Sequence, residues 1–222
     1  METVLKTYEK KHDKMVPVVS IDEKPVQLLG EVRARIAATP AIIGPDGEIE
    51  AKGKAIKIDS EDVRRETASI FMMAEPLAGW RRVEARSRHT GKDFALLLKK
   101  LAEEQYTDAD GITVVCDNYS THTHDAFYAL FKPSIASCLT DKIRFVYTPV
   151  HGSWLNIAEC ELGVLSMQSL GNNRIPGQDE LNEHIKEWEA KRNAENKPVN
   201  WQFTPEDARI RFRRLYPTDV IG

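Results

Sequence analysis

The chain has few cysteines, no CxxC pair and no long apolar run, and each absence removes a class of protein. Cys116, Cys138 and Cys160 are odd in number and far apart. They exclude a disulfide framework and a zinc–cysteine cluster, and they suit a reducing compartment. The longest apolar stretches are strand-sized, far short of the roughly 20 residues that cross a bilayer. The opening METVLKTYEKKHDKM is charged throughout and has no apolar core, so no secretory signal is expected. There is no internal repeat and no low-complexity tract. Nor is there the excess of positive charge that marks a free-standing nucleic-acid binder, because the formal net charge is −3. An enzyme that meets nucleic acid through local basic patches and metal ions stays open. Three basic clusters stand out: Arg64 and Arg65; Arg81, Arg82, Arg86 and Arg88; and Arg209, Arg211, Arg213 and Arg214. Each reads equally as a contact patch or a solvated face.

What is present suits one large domain or two small ones: 222 residues, 41% of them hydrophobic. The first fifteen residues read as a linker or a frayed helix. VPVVSID, residues 16–22, is a short strand run ending in an acid. Residues 37–55, with two prolines and three glycines, read as an irregular excursion. TASIFMMAEP and GWRRVEARS form two strands of a hairpin around Pro76–Gly79. In residues 91–106, Phe94, Leu97, Leu98 and Leu101 mark one helical face. A strand follows at 112–116, then a helix that Pro133 interrupts or ends, then a strand at 143–149. Residues 153–170 read as a helix with Ser153 as N-cap, and two further helices follow, the second capped by Thr204 with Pro205 at its first position. This order predicts an α/β fold with a mixed sheet, in which the strands near residues 16–22 and 112–116 lie side by side.

The stretch ITVVCDNYSTH, residues 112–122, drives apolar and β-branched residues straight into Asp117 and Asn118. Ligands gather beyond the carboxyl ends of strands in open α/β sheets, where Asp22 and Asp117 are both expected. Glu159 lies on the helix after the last strand, on the broad face marked by Leu155, Leu162 and Leu165. Glu161, about 200° further round, should point elsewhere. Three converging carboxylates repel one another unless a divalent cation neutralises them. All-oxygen donors suit Mg²⁺ or Mn²⁺. Two such ions about 4 Å apart serve phosphodiester chemistry. Acids also follow strands simply because Asp and Asn favour turns, so composition and spacing leave both readings open.

Three motifs, SIDEKPVQLLGE, VVCDNYSTHT and YTPVHGSWLNIAECELGVLSMQSL, together resemble the catalytic domain of bacterial insertion-sequence transposases related to mariner (the insertion-sequence family numbered six-thirty). The resemblance extends to ASIFMMAEPLAGWRRVEA and to the segment from Ile185 to Pro217, and so covers nearly the whole chain. It implies a ribonuclease-H-like fold with a five-stranded mixed sheet over residues 16–170, preceded by a linker remnant and followed by a helical extension, 171–222, packed on the same domain. It implies Asp22, Asp117 and Glu159 as catalytic acids and metal ligands, with two Mg²⁺ ions, replaceable by Mn²⁺. The activity implied is cleavage at transposon ends and strand transfer into target DNA. The partners implied are double-stranded DNA and a second copy of the chain, with no membrane; a separately encoded helix-turn-helix region is a further partner if the chain is one half of a split gene rather than a truncated copy or an isolated catalytic part. The setting implied is the bacterial cytoplasm, at the nucleoid. An inactive remnant that binds DNA or sister subunits, and a cellular nuclease of the same fold, are the alternatives. Two departures stand out. Only about twenty residues precede Asp22, where such proteins carry a helix-turn-helix, and Glu66 stands where the resemblance leads one to expect glycine.

Five residues are candidate supports or DNA contacts. His122 either touches phosphate or the metal site, or caps the turn after Asp117. Asn118 and Asn156 are placed to orient an acid or a metal-bound water. His151 and Trp154 flank the entry to the helix of Glu159, near the site or the DNA, although a tryptophan such as Trp154 is more often core. Trp188, Trp201 and Phe203 read as packing residues, and Cys116 and Cys160 as small buried residues beside the second and third acids.

Overall fold

The computed structural model describes residues 1–31, 38–43, 45, 48–54, 62–171 and 173–215. Five strands form one sheet: β1 (Val18–Glu31), β4 (Asp62–Glu75), β5 (Trp80–Arg86), β6 (Ile112–Cys116) and β7 (Ile143–Tyr147). Their order is β5-β4-β1-β6-β7. β1, β4 and β5 pair antiparallel, whereas β6 lies parallel to β1 and to β7. The mixed five-stranded sheet expected from the sequence is therefore present. β6 is buried at every position, as a parallel strand covered on both faces must be.

Strand alternation divides the core. Phe71 and Met73 of β4 join Val19, Ile21 and Val114 under α2 (Gly91–Lys100), α3 (Asp125–Leu130) and α4 (Pro133–Lys142). Ile70 and Met72, their neighbours on β4, point to the other face. There they meet α5 (Ile157–Leu165) and α6 (Gln178–Ala194) through Leu162, Leu165, Ile185 and Trp188. Truncating a Leu or Met in either layer to Ala costs about 2–5 kcal/mol. α2 starts in a capping box between Thr90 and Asp93, and α7 (Pro205–Arg211) in one between Thr204 and Asp207. Each box satisfies two end groups that the helix itself leaves unpaired.

Several expectations change. β1 does not stop at Asp22 but runs to Glu31, pairing with β4 throughout. Its parallel pairing with β6 ends at Ser20–Val115, so beyond that point no further strand is seen on that edge of β1 among the described residues, although the Asn156 side-chain amide donates to the Ile21 carbonyl and the Leu29 amide to the Ile175 carbonyl. Pro25, which lacks an N–H, is tolerated on that one-sided stretch. The first fifteen residues are more than a linker: α1 (Glu2–Tyr8) buries Val4, Leu5 and Tyr8 against Leu155, Ile157 and Ala208. The helix expected over 91–106 changes to π geometry at Leu101–Gln105. The one expected over 153–170 is three pieces: a 3₁₀ turn at Ser153–Leu155, α5, and a π segment at Ser166–Leu170. Its cap is Asn156, not Ser153, because Asn156 accepts from the Ala158 amide. In the irregular excursion, Ile42–Ile43 (β2) pairs with Ile49–Ala51 (β3), Thr39 and Lys54 form a short bridge, and residues 37, 44, 46, 47 and 55 lie outside the described ones. Glu66 is exposed where the β1–β4 register shifts, and its carbonyl accepts from Gln27 Nε2.

Candidate active site

Three elements deliver the three acids. Asp22 stands on β1 two residues past the last parallel pairing, where a cleft opens. Asp117 follows the last residue of β6 directly. Glu159 sits in the first turn of α5. All three line a cleft of about 430 Å³, together with Lys24, Thr148 and Asn156. Asn156 is buried and links two of the elements: its Nδ2 donates to the Ile21 carbonyl at 2.9 Å, and its Oδ1 accepts from Ala158 N at 3.1 Å.

The cleft is electrostatically unfinished. Burial pushes the Asp22 carboxyl up to about 7; the Glu23 amide opposes this, while Glu23, Asp117 and Glu159 add repulsion. Asp117 is exposed, and His122 Nδ1 lies 2.6 Å from its Oδ1. The Tyr119 amide donates to the same oxygen at 3.3 Å, so both of these contacts leave Oδ2 aside. His122 is itself buried and stacked on Phe94 at 4.2 Å between ring centroids. Burial disfavours charge on its ring, but the Cys116 sulfur and the Glu23 carboxylate outweigh this and raise its pKa. Burial raises the Cys116 thiol as well, and the carboxylates of Asp117 and Glu23 flank the two ring nitrogens of His122. Glu23 Oε2 is buried without a well-formed hydrogen bond, and His122 Nε2 is 3.4 Å away.

Residues 46–182 match the family described as DDE superfamily endonuclease, well over half of the chain. This chain belongs to the DDE superfamily endonuclease family. The matched stretch contains Asp117 and Glu159 and begins after Asp22. No curated protein matches the chain. Among solved structures it is similar to the mariner Mos1 paired end complex with Mg, at 14% identity and a TM-score of 0.55, over 98% of this chain and 61% of that one. It is also similar to the Mos1 strand transfer complex, at 14% identity and a TM-score of 0.51, over 85% of this chain and 51% of that one. The pre-cleavage Mos1 transpososome gives 13% and 0.51, over 85% and 52%. The chain thus spans about half to three fifths of these structures, and at such identities the likeness is one of fold.

DDE endonucleases generally use divalent metal ions. Among the described residues no three His, Cys, Asp or Glu side chains are already gathered into a metal-binding group. The donor chemistry nevertheless fits. The cleft offers carboxylate oxygens from three elements, and beside the burial that chiefly raises the Asp22 carboxyl, Glu23, Asp117 and Glu159 add a repulsion that a cation would relieve. Asp22, Asp117 and Glu159 are the residues that would hold such an ion.

The supporting candidates divide. Asn156 and His122 both act on the acids' surroundings. Asn118 is exposed and makes no hydrogen bond to Asp117 among the described residues. His151 is exposed with a φ of 60°, in the turn before the 3₁₀ segment. Trp154 packs with Trp201, Phe203 and Phe212. Cys160 is exposed rather than buried. Glu161 points away from the cleft, as its helical angle requires, yet it is buried between Arg81 and Arg192. That pairing takes Arg81 out of the basic cluster, and Arg82 and Arg86 also face acids. The side chains of Arg64 and Arg65 lie outside the described ones. Sequence reasoning missed Glu23 and Lys24, although the run Asp-Glu-Lys at 22–24 carries the signal.

Proposed function

We propose that this chain is the catalytic domain of a DNA transposase of the mariner-related insertion-sequence family, cutting a phosphodiester at transposon ends and joining the freed 3′-hydroxyl to target DNA. The observation that carries this reading is the convergence of Asp22, Asp117 and Glu159, from two strands and a helix, on one cleft. Family membership and the fold shared with Mos1 support it.

Asp22 and Asp117 would share two Mg²⁺ ions, or Mn²⁺ in their place, and Glu159 would complete their coordination. Such ions, when bound, supply an activated attacking oxygen and stabilise the leaving one. The chain's own work is placement. His122 holds Asp117 through Oδ1, Asn156 fixes the start of the Glu159 helix against β1, and partial burial keeps Asp22 poorly hydrated. Such preorganisation needs no covalent protein–DNA intermediate. The partners of this reading are duplex DNA and a second copy of the chain to join two ends. The test is strand cleavage of a terminal-repeat oligonucleotide in Mg²⁺. Cleavage by the wild type and its loss in Asp117→Asn support the reading, whereas wild-type cleavage by Asp117→Asn ends the assignment of the second acid.

A further inference from the structure

Among the described residues one cation, Lys24, lines the cleft of acids, and its hydrogen bond goes to a hydroxyl rather than to any of them. Lys24 lies two residues beyond Asp22 on the extended strand, so both share a face of β1. Four carboxylates line the same cleft, yet Lys24 forms no ion pair among the described residues. Its Nζ instead donates to the Ser166 hydroxyl at 2.8 Å. That hydroxyl donates in turn to the Leu162 carbonyl at 2.7 Å. Ser166 is the first residue of the π segment after α5, a geometry that often marks functional positions.

The floor between the acids and this ammonium is bare. Glu159, Gly163 and Ser166 follow one another along one face of the helix, at i, i+4 and i+7. The first and last stand about 10 Å apart along its axis. Gly163 lines the cleft, and a Cβ built there would meet no atom within 4 Å. No packing demand keeps this position glycine, and glycine weakens a helix interior relative to alanine. The helix backbone at Gly163 therefore borders open space in the cleft. A neutral hydroxyl holds the lysine more weakly than a carboxylate does, so an incoming anion takes it over readily.

We propose that Lys24, Ser166 and the bare backbone at Gly163 form a subsite for a backbone phosphate of the bound nucleic-acid strand, next to the phosphodiester that is cut. The inference rests on the reading of the acid cleft as a phosphodiester-cleaving site. A phosphate there meets the ammonium of Lys24 at one end of the floor while the scissile group meets the three acids at the other. Lys24 is a positioning residue: it sets where the strand lies and takes no proton in the chemistry.

The full chain is tested in two assays. Fluorescence anisotropy of a labelled duplex oligonucleotide across a salt series reads binding without cleavage. Nicking of supercoiled plasmid in Mn²⁺ reads KM and kcat. Lys24→Ala is expected to weaken binding about tenfold and to reduce the slope of log affinity against log salt by about one. It should raise KM by a similar factor and leave kcat within about twofold. Lys24→Arg should restore most of the affinity, since the charge is kept. Gly163→Leu should weaken binding to a similar degree, with an unchanged or higher thermal midpoint. Wild-type affinity, salt slope and KM in Lys24→Ala would overturn the inference, as would wild-type binding by Gly163→Leu. The cleavage reading fails separately: if the plasmid is not nicked while the Lys24→Ala binding defect persists, the phosphate subsite stands and the chemistry does not.

Discussion

Asn156 ties the helix that carries the third acid to the strand that carries the first. Its Nδ2 donates to the carbonyl of Ile21, the residue before Asp22, at 2.9 Å, and its Oδ1 caps the helix of Glu159. One buried amide thus sets the distance between two elements far apart in sequence. Asn156→Ala removes a cap worth about 1 kcal/mol and orphans a buried carbonyl at about 1–3 kcal/mol. A loss of about 2–3 kcal/mol in urea denaturation is expected, with a fall in cleavage. Asn156→Asp keeps the cap and loses the donor, so it should retain part of the stability and still misplace Asp22 relative to Glu159. Equal cleavage by Asn156→Asp and wild type would remove this positioning role.

His122 holds Asp117 from beneath and neutralises Glu23 behind it. His122→Ala leaves Glu23 partly buried and unpaired, and breaking such a pair typically costs about 3–5 kcal/mol, less here because Glu23 keeps some solvent contact. A destabilisation of about 2–3 kcal/mol is expected by urea melt, with kcat for nicking reduced at least about tenfold. Glu23→Gln, which removes the unpaired charge, should destabilise less. The idea fails if His122→Ala cuts DNA at the wild-type rate.

Asp22 makes the metal-free fold less stable as pH rises. Its folded pKa of about 7 lies above the ordinary 3.8, so between those values the folded state binds the proton that the unfolded state has lost. Stability from this group is therefore full below pH 4 and falls away as pH climbs through 7. In EDTA, Asp22→Asn should raise the melting temperature at pH 8, through a stabilisation of about 4 kcal/mol at most and less where solvent screens the half-buried carboxyl, and the gain should vanish near pH 4. A pH-independent effect of the substitution would contradict this origin.

Neighbouring glutamates should respond oppositely. Glu159 is exposed at the cleft, so Glu159→Gln is expected to abolish cleavage with less than about 1 kcal/mol change in stability. Glu161 is buried between Arg81 and Arg192, and Glu161→Ala should cost about 3–5 kcal/mol. Burial works against the Glu161 charge, but the two guanidiniums win and hold its carboxyl below the usual 4.5. Its contribution is present above that value and is lost as pH falls through the folded one. Thermal melts and nicking rates on both variants separate the two roles.

The elements with strong local signals were legible. The unbroken apolar run of β6, the hairpin turn at Pro76–Gly79 and the Thr204-Pro205 helix start each follow from local chemistry. The length of β1 was not, because Pro25 is tolerated only where the parallel neighbour has already ended, a fact of tertiary pairing. The cap itself is local, Asn156 Oδ1 to the Ala158 amide, and Ser153 competed for it in the sequence; the tie of the same side chain to Ile21, 135 residues away, left no local signal. Helical angle placed Glu161 off the cleft but said nothing of Arg81 and Arg192, which arrive from β5 and α6 and turn an outward acid into a buried one. Glu23 and Lys24 stood beside Asp22 in plain sight, and only the cleft gives them meaning.

The central claim is that three carboxylates from separate elements share bound cations. Crystals soaked in Mn²⁺ and measured at the manganese edge test it most directly. The account predicts anomalous peaks in the cleft, liganded by Asp22, Asp117 and Glu159, that vanish in Asp117→Asn. A cleft that stays empty at saturating Mn²⁺, in a protein that still cuts DNA, would contradict it.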